Sequence, residues 1–229
     1  MLWRIEELRE TGSTNADVLA AAGAGAAEGL VITAQAQTAG RGRLGRTWIS
    51  PPGACLALSM LLRPTVPMAA WGWLPLIAGI ALADAVGVDR AGLKWPNDLL
   101  IDGRKCAGIL AEAAVSGVVV IGIGVNLTQA PPDLPAISLL DAGAPTVDIT
   151  KGLLDRFAEI YEAWQEGFDP REDYLRRCLT IGQRVKVVLP GDSMLTGEAI
   201  TVDGEGRLVI RDDRGDLCPI AAGDVTHVR

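Results

Sequence analysis

The chain has 229 residues, 49% apolar and 21% charged, enough to bury a substantial core in one large domain or one domain with a small appendage. Its formal net charge of −7 argues against general affinity for nucleic acid, which needs a basic face. Four scattered cysteines without a C-x-x-C pair, and His227 as the only histidine, argue against a structural zinc site.

Arg4, Glu6, Glu7, Arg9 and Glu10 interrupt any apolar signal-peptide core, and reduced thiols in a cytoplasm fit the cysteine pattern. Gly12-Ser13-Thr14-Asn15 precedes an alanine-rich helix that ends near Gly23 and Gly25, with Ser13 or Thr14 as its N-cap. Residues 30–35 read as a strand, and residues 55–62 as a buried strand after the Pro51-Pro52-Gly53 turn. Residues 67–86 are apolar and long enough to span a membrane. Gly72, Pro75, Gly79 and Asp84 lie within them, and Trp71 and Trp73 fall in the first half instead of at both ends, which favours a buried helix.

Residues 99–101 and 106–112 read as a hairpin around Asp102-Gly103. Residues 118–127 form a further strand that pairs back through Ser116-Gly117, followed by a proline-rich loop over 131–145. Ile149, Leu153, Leu154, Phe157, Ile160, Tyr161 and Trp164 keep helical spacing, and a shorter helix follows near 171–178. After Thr180 the composition changes. Residues 184–189, 196–202, 207–211, 216–220 and 225–228 read as short strands, separated by turns at Pro190-Gly191-Asp192, Asp203-Gly204, Arg214-Gly215 and Gly223-Asp224. Five such strands predict a small closed barrel.

The most informative stretch is Gly40-Arg41-Gly42-Arg43-Leu44-Gly45-Arg46, with Trp48 just beyond it. Glycines leave backbone N–H groups free to approach an anion, and arginines supply fixed charge and forked donors. The loop formally matches G-x-G-x-x-G, but it runs into Pro51-Pro52 and a strand instead of a helix, and no acidic residue lies between Glu28 and Asp84. A dinucleotide-binding loop is therefore excluded by context.

In Lys94-Trp95-Pro96-Asn97-Asp98, Pro96 stiffens the backbone. Asn97 can read a heterocycle edge, and Asp98 can hold a cation, a metal or a lysine; a plain Asn-Asp turn accounts for the cluster equally well. In residues 103–110 only one of Arg104 and Lys105 is expected to face inward, while Ala107 and Gly108 leave room for a ligand or a neighbouring backbone. Gly122 and Gly124 inside a strand imply close approach by another group, and Asn126 in so apolar a setting needs partners. Cys106 has no histidine to activate it and reads as a packed thiol.

Taken together, residues 12–15, 37–48, 94–99, 103–110 and 122–127 resemble the motifs of the biotin–protein ligases, in order and spacing, over essentially the whole chain. The resemblance implies an α+β fold, with a mixed β-sheet flanked by helices related to the class II aminoacyl-tRNA synthetases. A catalytic domain over residues 1–179 would precede a small C-terminal SH3-like barrel over 180–229. Some members also carry an N-terminal DNA-binding repressor domain; the first motif begins at residue 13, so none is expected here.

The implied reaction activates biotin with ATP as biotinyl-5′-AMP and transfers it to a lysine of a biotin carboxyl carrier domain. Mg²⁺ would accompany the nucleotide, held largely by phosphate oxygens. By resemblance, Lys105 bridges the biotin carboxyl and the α-phosphate, and Arg41 and Arg43 neutralise phosphate oxygens. Asp98 orients Lys105 or the target lysine. Ser13, Thr14, Asn15 and Gln37 take the biotin ring, with Arg41 near it, and Gly40, Gly108 and Leu110 line that pocket. Trp48 covers the ligand, Asn97 meets the adenine edge, and Arg46 and Asn126 complete the nucleotide set. Residues 40–48 are expected to order when ligand binds.

The chief rival is a lipoate or octanoyl ligase or transferase of the same superfamily, which would not require the arginine loop. A non-catalytic biotin-dependent regulator and a nicotinamide-dependent oxidoreductase are less consistent with the motifs. The sequence leaves open the metal ligands, the role of Arg229, and the choice between monomer and homodimer.

Overall fold

The computed structural model describes residues 1–114, 117–146, 148–189 and 193–228. Ser116, Pro190-Gly191-Asp192 and Arg229, each given a place above, lie outside the described residues.

A seven-stranded mixed sheet forms the larger unit. Its strands are β1 (Arg4–Leu8), β2 (Leu30–Ala34), β3 (Cys55–Leu62), β4 (Ala91–Lys94), β5 (Asp98–Ile101), β6 (Arg104–Ala114) and β7 (Val118–Asn126), in the spatial order β1-β2-β3-β7-β6-β5-β4. Only β1 and β2 run parallel. The β5–β6 hairpin turns on Asp102 and Gly103, at φ of 51° and 73°, the left-handed pair that a two-residue turn matching strand twist requires. Neither β1 nor β4 was anticipated. All five residues of β1 are exposed, so its burial carries no alternation to read, and its strand state comes from pairing with β2.

Helix α1 (Thr14–Gly23) begins at Ser13, whose hydroxyl makes no capping bond. The Thr14 N–H instead donates to Oε1 of Gln37 at 2.9 Å, so a side chain from another segment satisfies this first-turn donor. Helix α2 (Trp73–Val86), preceded by a 3₁₀ turn at Met68–Gly72, is apolar on nearly all sides because it packs between the sheet and α3 (Thr150–Gln165). Ten of its fourteen residues are buried, so its hydropathy is that of a core helix. Helix α4 (Arg171–Arg177) leads to the second unit.

That unit is an antiparallel sheet of β8 (Arg184–Val188), β9 (Met194–Val202), β10 (Leu208–Asp212), β11 (Leu217–Ile220) and β12 (Asp224–His227), in the order β11-β10-β9-β8-β12. The hydrogen-bonded order thus ends at β11 and β12. One apolar cluster runs through both units, joining Trp73, Trp95 and Tyr174 to Val185, Leu208 and Ile210. Two indoles stitch the units at their polar edges: Nε1 of Trp73 donates to the Gly204 carbonyl at 3.1 Å, and Nε1 of Trp95 to that of Gly206 at 3.2 Å. Gly72 is required here, since a Cβ on it would lie 2.3 Å from the Glu205 carbonyl oxygen.

Candidate active site

A cleft of about 380 Å³ opens on one face of the large sheet. It is lined by the start of α1, the arginine loop, residues 94–98, β6, β7, the 131–136 segment and the start of β12.

The position of Lys105 depends on a break in strand register. Along β6, Ala107 and Ile109 are buried in the core, so strict alternation would send Lys105 to the same side. Pairing with β5 shifts between Leu99↔Ala107 and Leu100↔Lys105, leaving Cys106 as an extra residue. The bulge reverses the phase and brings Lys105 into the cleft beside Gly108 and Leu110. Its Nζ pairs with Oδ1 of Asp98 at 2.6 Å and lies 5.7 Å from the centre of the Trp48 ring. The Lys105 backbone is also held: its N–H donates to Pro135, and its carbonyl accepts from Ile137 and, at 3.4 Å, from Nδ2 of Asn126.

The cations of the arginine loop are likewise matched with acceptors. Nη2 of Arg41 pairs with Oε2 of Glu112 at 2.9 Å, and Arg46 pairs with Asp224. Arg43 donates to Oδ1 of Asn97 at 3.1 Å and to the Gly223 carbonyl at 3.2 Å. Burial lowers the pKa of Arg43, opposed by the charges of Asp98 and Asp224, while the hydrogen bond that Arg46 donates to Asp224 raises that of Arg46. Three carboxylates thus stand where an anionic ligand would otherwise meet the clamp, and two of them, Glu112 and Asp224, had no place in the expected site. Alternation along β6 after Gly108 and Leu110 was the available signal for Glu112.

The uncharged end of the cleft is a connected polar cluster. Thr14 donates from N and, at 3.2 Å, from Oγ1 to Oε1 of Gln37, whose Nε2 donates to Oγ of Ser50 at 3.3 Å. Ser59, fully buried on β3 and also absent from the expected site, donates to Oδ1 of Asn15 at 2.6 Å. Nδ2 of Asn15 donates to Oε2 of Glu112 at 2.7 Å. Ser13 is buried at the head of α1, and Gly40 packs so closely that a Cβ would lie 2.5 Å from the Trp48 carbonyl oxygen.

The strand glycines have the close neighbours that their positions implied. A Cβ at Gly122 would lie 2.1 Å from Oδ1 of Asn15, and one at Gly124 would lie 2.4 Å from Cε2 of Trp48. Trp48 thus rests on the sheet itself, as a wall of the cleft, where the resemblance implied a cover. Asn97 is largely taken by protein: besides accepting from Arg43, it donates Nδ2 to the Ile109 carbonyl at 3.1 Å. Asn126, 2% exposed, donates to the carbonyls of Lys105 and Ile137. Cys106 is a packed thiol that burial pushes up to about 12, unsuited to nucleophilic attack.

Residues 13–126 match the Biotin/lipoate A/B protein ligase family, and residues 180–228 match the Biotin protein ligase C terminal domain. The chain is 45% identical to the biotin–[acetyl-CoA-carboxylase] ligase of Mycobacterium tuberculosis, over 99% of its own length and 90% of that protein's. The chain belongs to the biotin protein ligase family. The corresponding ligase of Paracoccus denitrificans is 35% identical, with 91% of this chain and 94% of that one covered. The fold of this ligase is shared with the biotin protein ligase of Aquifex aeolicus solved in complex with biotin and ATP, at a TM-score of 0.83 and 26% identity over 100% of both chains. In the ligase described here, a polar neutral pocket and a cationic one occupy adjoining ends of one cleft.

Proposed function

We propose that this cleft joins biotin to ATP at Lys105 and then passes the biotinyl group to a lysine of a biotin carboxyl carrier domain, with acetyl-CoA carboxylase as the carrier enzyme. The chain is an ATP-dependent ligase, and the residue assignments rest on one observation: Lys105, Arg41, Arg43 and Arg46 converge on a cleft whose other end holds Ser13, Thr14 and Gln37.

In the first step a carboxylate oxygen of biotin attacks the α-phosphorus of ATP. The bond to the bridging oxygen breaks, and pyrophosphate leaves. Two anions must meet, so positive charge has to be gathered beforehand where a low dielectric strengthens it. Lys105 stands at the junction of the two ends, and Arg41, Arg43 and Arg46 lie on the loop that faces it. As ligand oxygens arrive, Asp98, Glu112 and Asp224 exchange their cations for them. These carboxylates hold the clamp in shape meanwhile, which limits reorganisation during the reaction.

In the second step the target amine attacks the biotinyl carbonyl. The bond to AMP breaks, and the amine loses a proton; Asp98, paired with Lys105, is the acceptor we assign. Mg²⁺ would enter with the nucleotide and screen its phosphates. Among the described residues no group of three acidic, histidine or cysteine side chains could hold a metal, so phosphate oxygens would supply most of its ligands. We place the protein in the cytoplasm, where its free cysteines would stay reduced.

The test is to incubate the protein with ATP, Mg²⁺ and a biotin carboxyl carrier domain, offering biotin and lipoate in parallel, and to weigh the carrier by mass spectrometry. A single biotinyl adduct is the expected product. A lipoyl adduct without a biotinyl one would reassign the substrate.

A further inference from the structure

Glu112 does not itself line the cleft, yet it touches lining residues at both ends and closes a hydrogen-bond chain through the uncharged one. Its Oε2 accepts from Nη2 of Arg41 at 2.9 Å and from Nδ2 of Asn15 at 2.7 Å. A carboxylate is an acceptor only, so the Asn15 amide must turn its NH₂ toward Glu112 and its oxygen toward Ser59. Ser59 has one hydrogen and gives it to that oxygen at 2.6 Å. The Ser59 oxygen then meets Oγ1 of Thr14, 2.7 Å away, as an acceptor. Thr14 also has one hydrogen, and both protein partners within reach, Ser59 and Oε1 of Gln37, are acceptors. The Thr14 hydroxyl therefore presents lone pairs, and no hydrogen, to the cleft that it lines.

We infer that Glu112 is a positioning residue that sets the donor and acceptor sense of this chain, so that Thr14 Oγ1 faces the ligand as an acceptor and selects a ring bearing an N–H group. This rests on the biotin reading above. The ureido ring of biotin carries such N–H groups, whereas the sulfur ring of lipoate has none. A site whose buried acceptor would be left unpaired discriminates against the ligand lacking the donor. The arrangement is rigid at its centre: Asn15 is 4% exposed, Ser59 is fully buried, and Gly122 leaves room for the Asn15 amide.

The experiment is calorimetric titration of biotin, and separately of ATP, into the wild type, Glu112→Gln, Glu112→Met and Thr14→Val, and into Thr14→Val combined with Glu112→Met. Both donors share one carboxylate oxygen, so the amide oxygen of Gln can replace it, while Met fills a similar volume with no acceptor. Glu112→Gln is expected to bind biotin within about threefold of wild type and Glu112→Met about tenfold more weakly or worse, with a smaller fall in ATP affinity than in biotin affinity. In the Thr14→Val background, Glu112→Met should cost little more, because the acceptor it orients is gone.

Equal losses in Gln and Met would mean that the charge on Glu112 matters and not the hydrogen-bond sense, and would overturn the inference. Additive losses in the double variant would do the same, as would a fall in ATP affinity matching that for biotin. Circular dichroism verifies the fold of each variant; should Glu112→Met fail to fold, the same comparison is made with Glu112→Leu. Failure of the wild type to bind biotin would instead sink the functional reading itself.

Discussion

Gly108 and Gly124 face each other in register across β6 and β7, and the Trp48 indole lies against both. The pair forms a flat shelf in an otherwise side-chain-covered sheet, and the ring on it carries one edge of the arginine loop. A methyl group on either glycine meets the ring, at 3.2 Å from Cζ3 for Gly108 and 2.4 Å from Cε2 for Gly124.

Gly124→Ala should therefore displace Trp48 more than Gly108→Ala does. Overpacking of this kind costs about 1–3 kcal/mol, so the rate of biotinyl-5′-AMP formation is expected to fall by roughly tenfold or more. Steady-state pyrophosphate release measures it, and a red shift of tryptophan emission would accompany the ring's exposure.

Lys105→Ala removes the charge at the junction of the two anions. The loss of one preorganised charge-assisted contact is worth roughly 2–4 kcal/mol, or about 10²–10³ in the adenylation rate. Supplied biotinyl-5′-AMP bypasses that step, so transfer to the carrier should fall much less. Full adenylation by the variant would refute the role given to Lys105.

The loop at residues 40–48 is held by Gly42 N–H to Arg46, Trp48 N–H to Gly40 and the ion pairs of Arg41 and Arg46, the ion pairs lying at an exposed or half-exposed surface. Exposed ion pairs are each worth only about 0–1 kcal/mol, so without ligand the loop should open often. Amide hydrogen exchange across 40–48 is expected to slow when biotin and ATP are added together. Unchanged exchange would show that ligand does not order the loop.

Burial pushes the Cys55 thiol up to about 11 and that of Cys106 up to about 12, and Cys178 is buried as well; Cys218 is half-buried. A disulfide-exchange reagent at pH 8 should find one fast thiol in the native protein and four after denaturation. The sign for stability follows from Cys55 and Cys106: unfolded thiols ionise near 8.5, and these two ionise higher in the native protein. The contribution is complete below about pH 8.5 and is lost as pH rises through the native values.

His227 behaves oppositely with pH. Burial, and then the charge of Lys94, lower its pKa, so the fold favours the neutral ring. Its contribution is complete above the unfolded value of about 6.5 and is lost as pH falls toward the lower native one. Nε2 lies 3.2 Å from Oγ1 of Thr180, which also accepts the Trp95 N–H, so the ring sits at the joint between the two sheets. Melting temperatures recorded between pH 7.5 and 5 should drop less steeply for His227→Gln than for the wild type.

Much of this architecture was legible in the chain because local chemistry dictates it. The Asp102-Gly103 turn, the helical spacing from Ile149 to Trp164 and the turns at Asp203-Gly204 and Arg214-Gly215 are short-range signals, and the elements lie where those signals put them. The strand glycines announced close approach by something, and the arginines announced an anion. What the sequence could not state was which atoms would meet. β1 is a strand only because β2 is beside it; Lys105 enters the cleft only because β5 and β6 slip past each other at Cys106. Ser59 and Asp224 join the site from distant parts of the chain, with no local pattern to link them to it. Residue types set the chemistry that was possible, whereas hydrogen-bond partners and strand register are long-range relations that exist only once the chain has closed on itself.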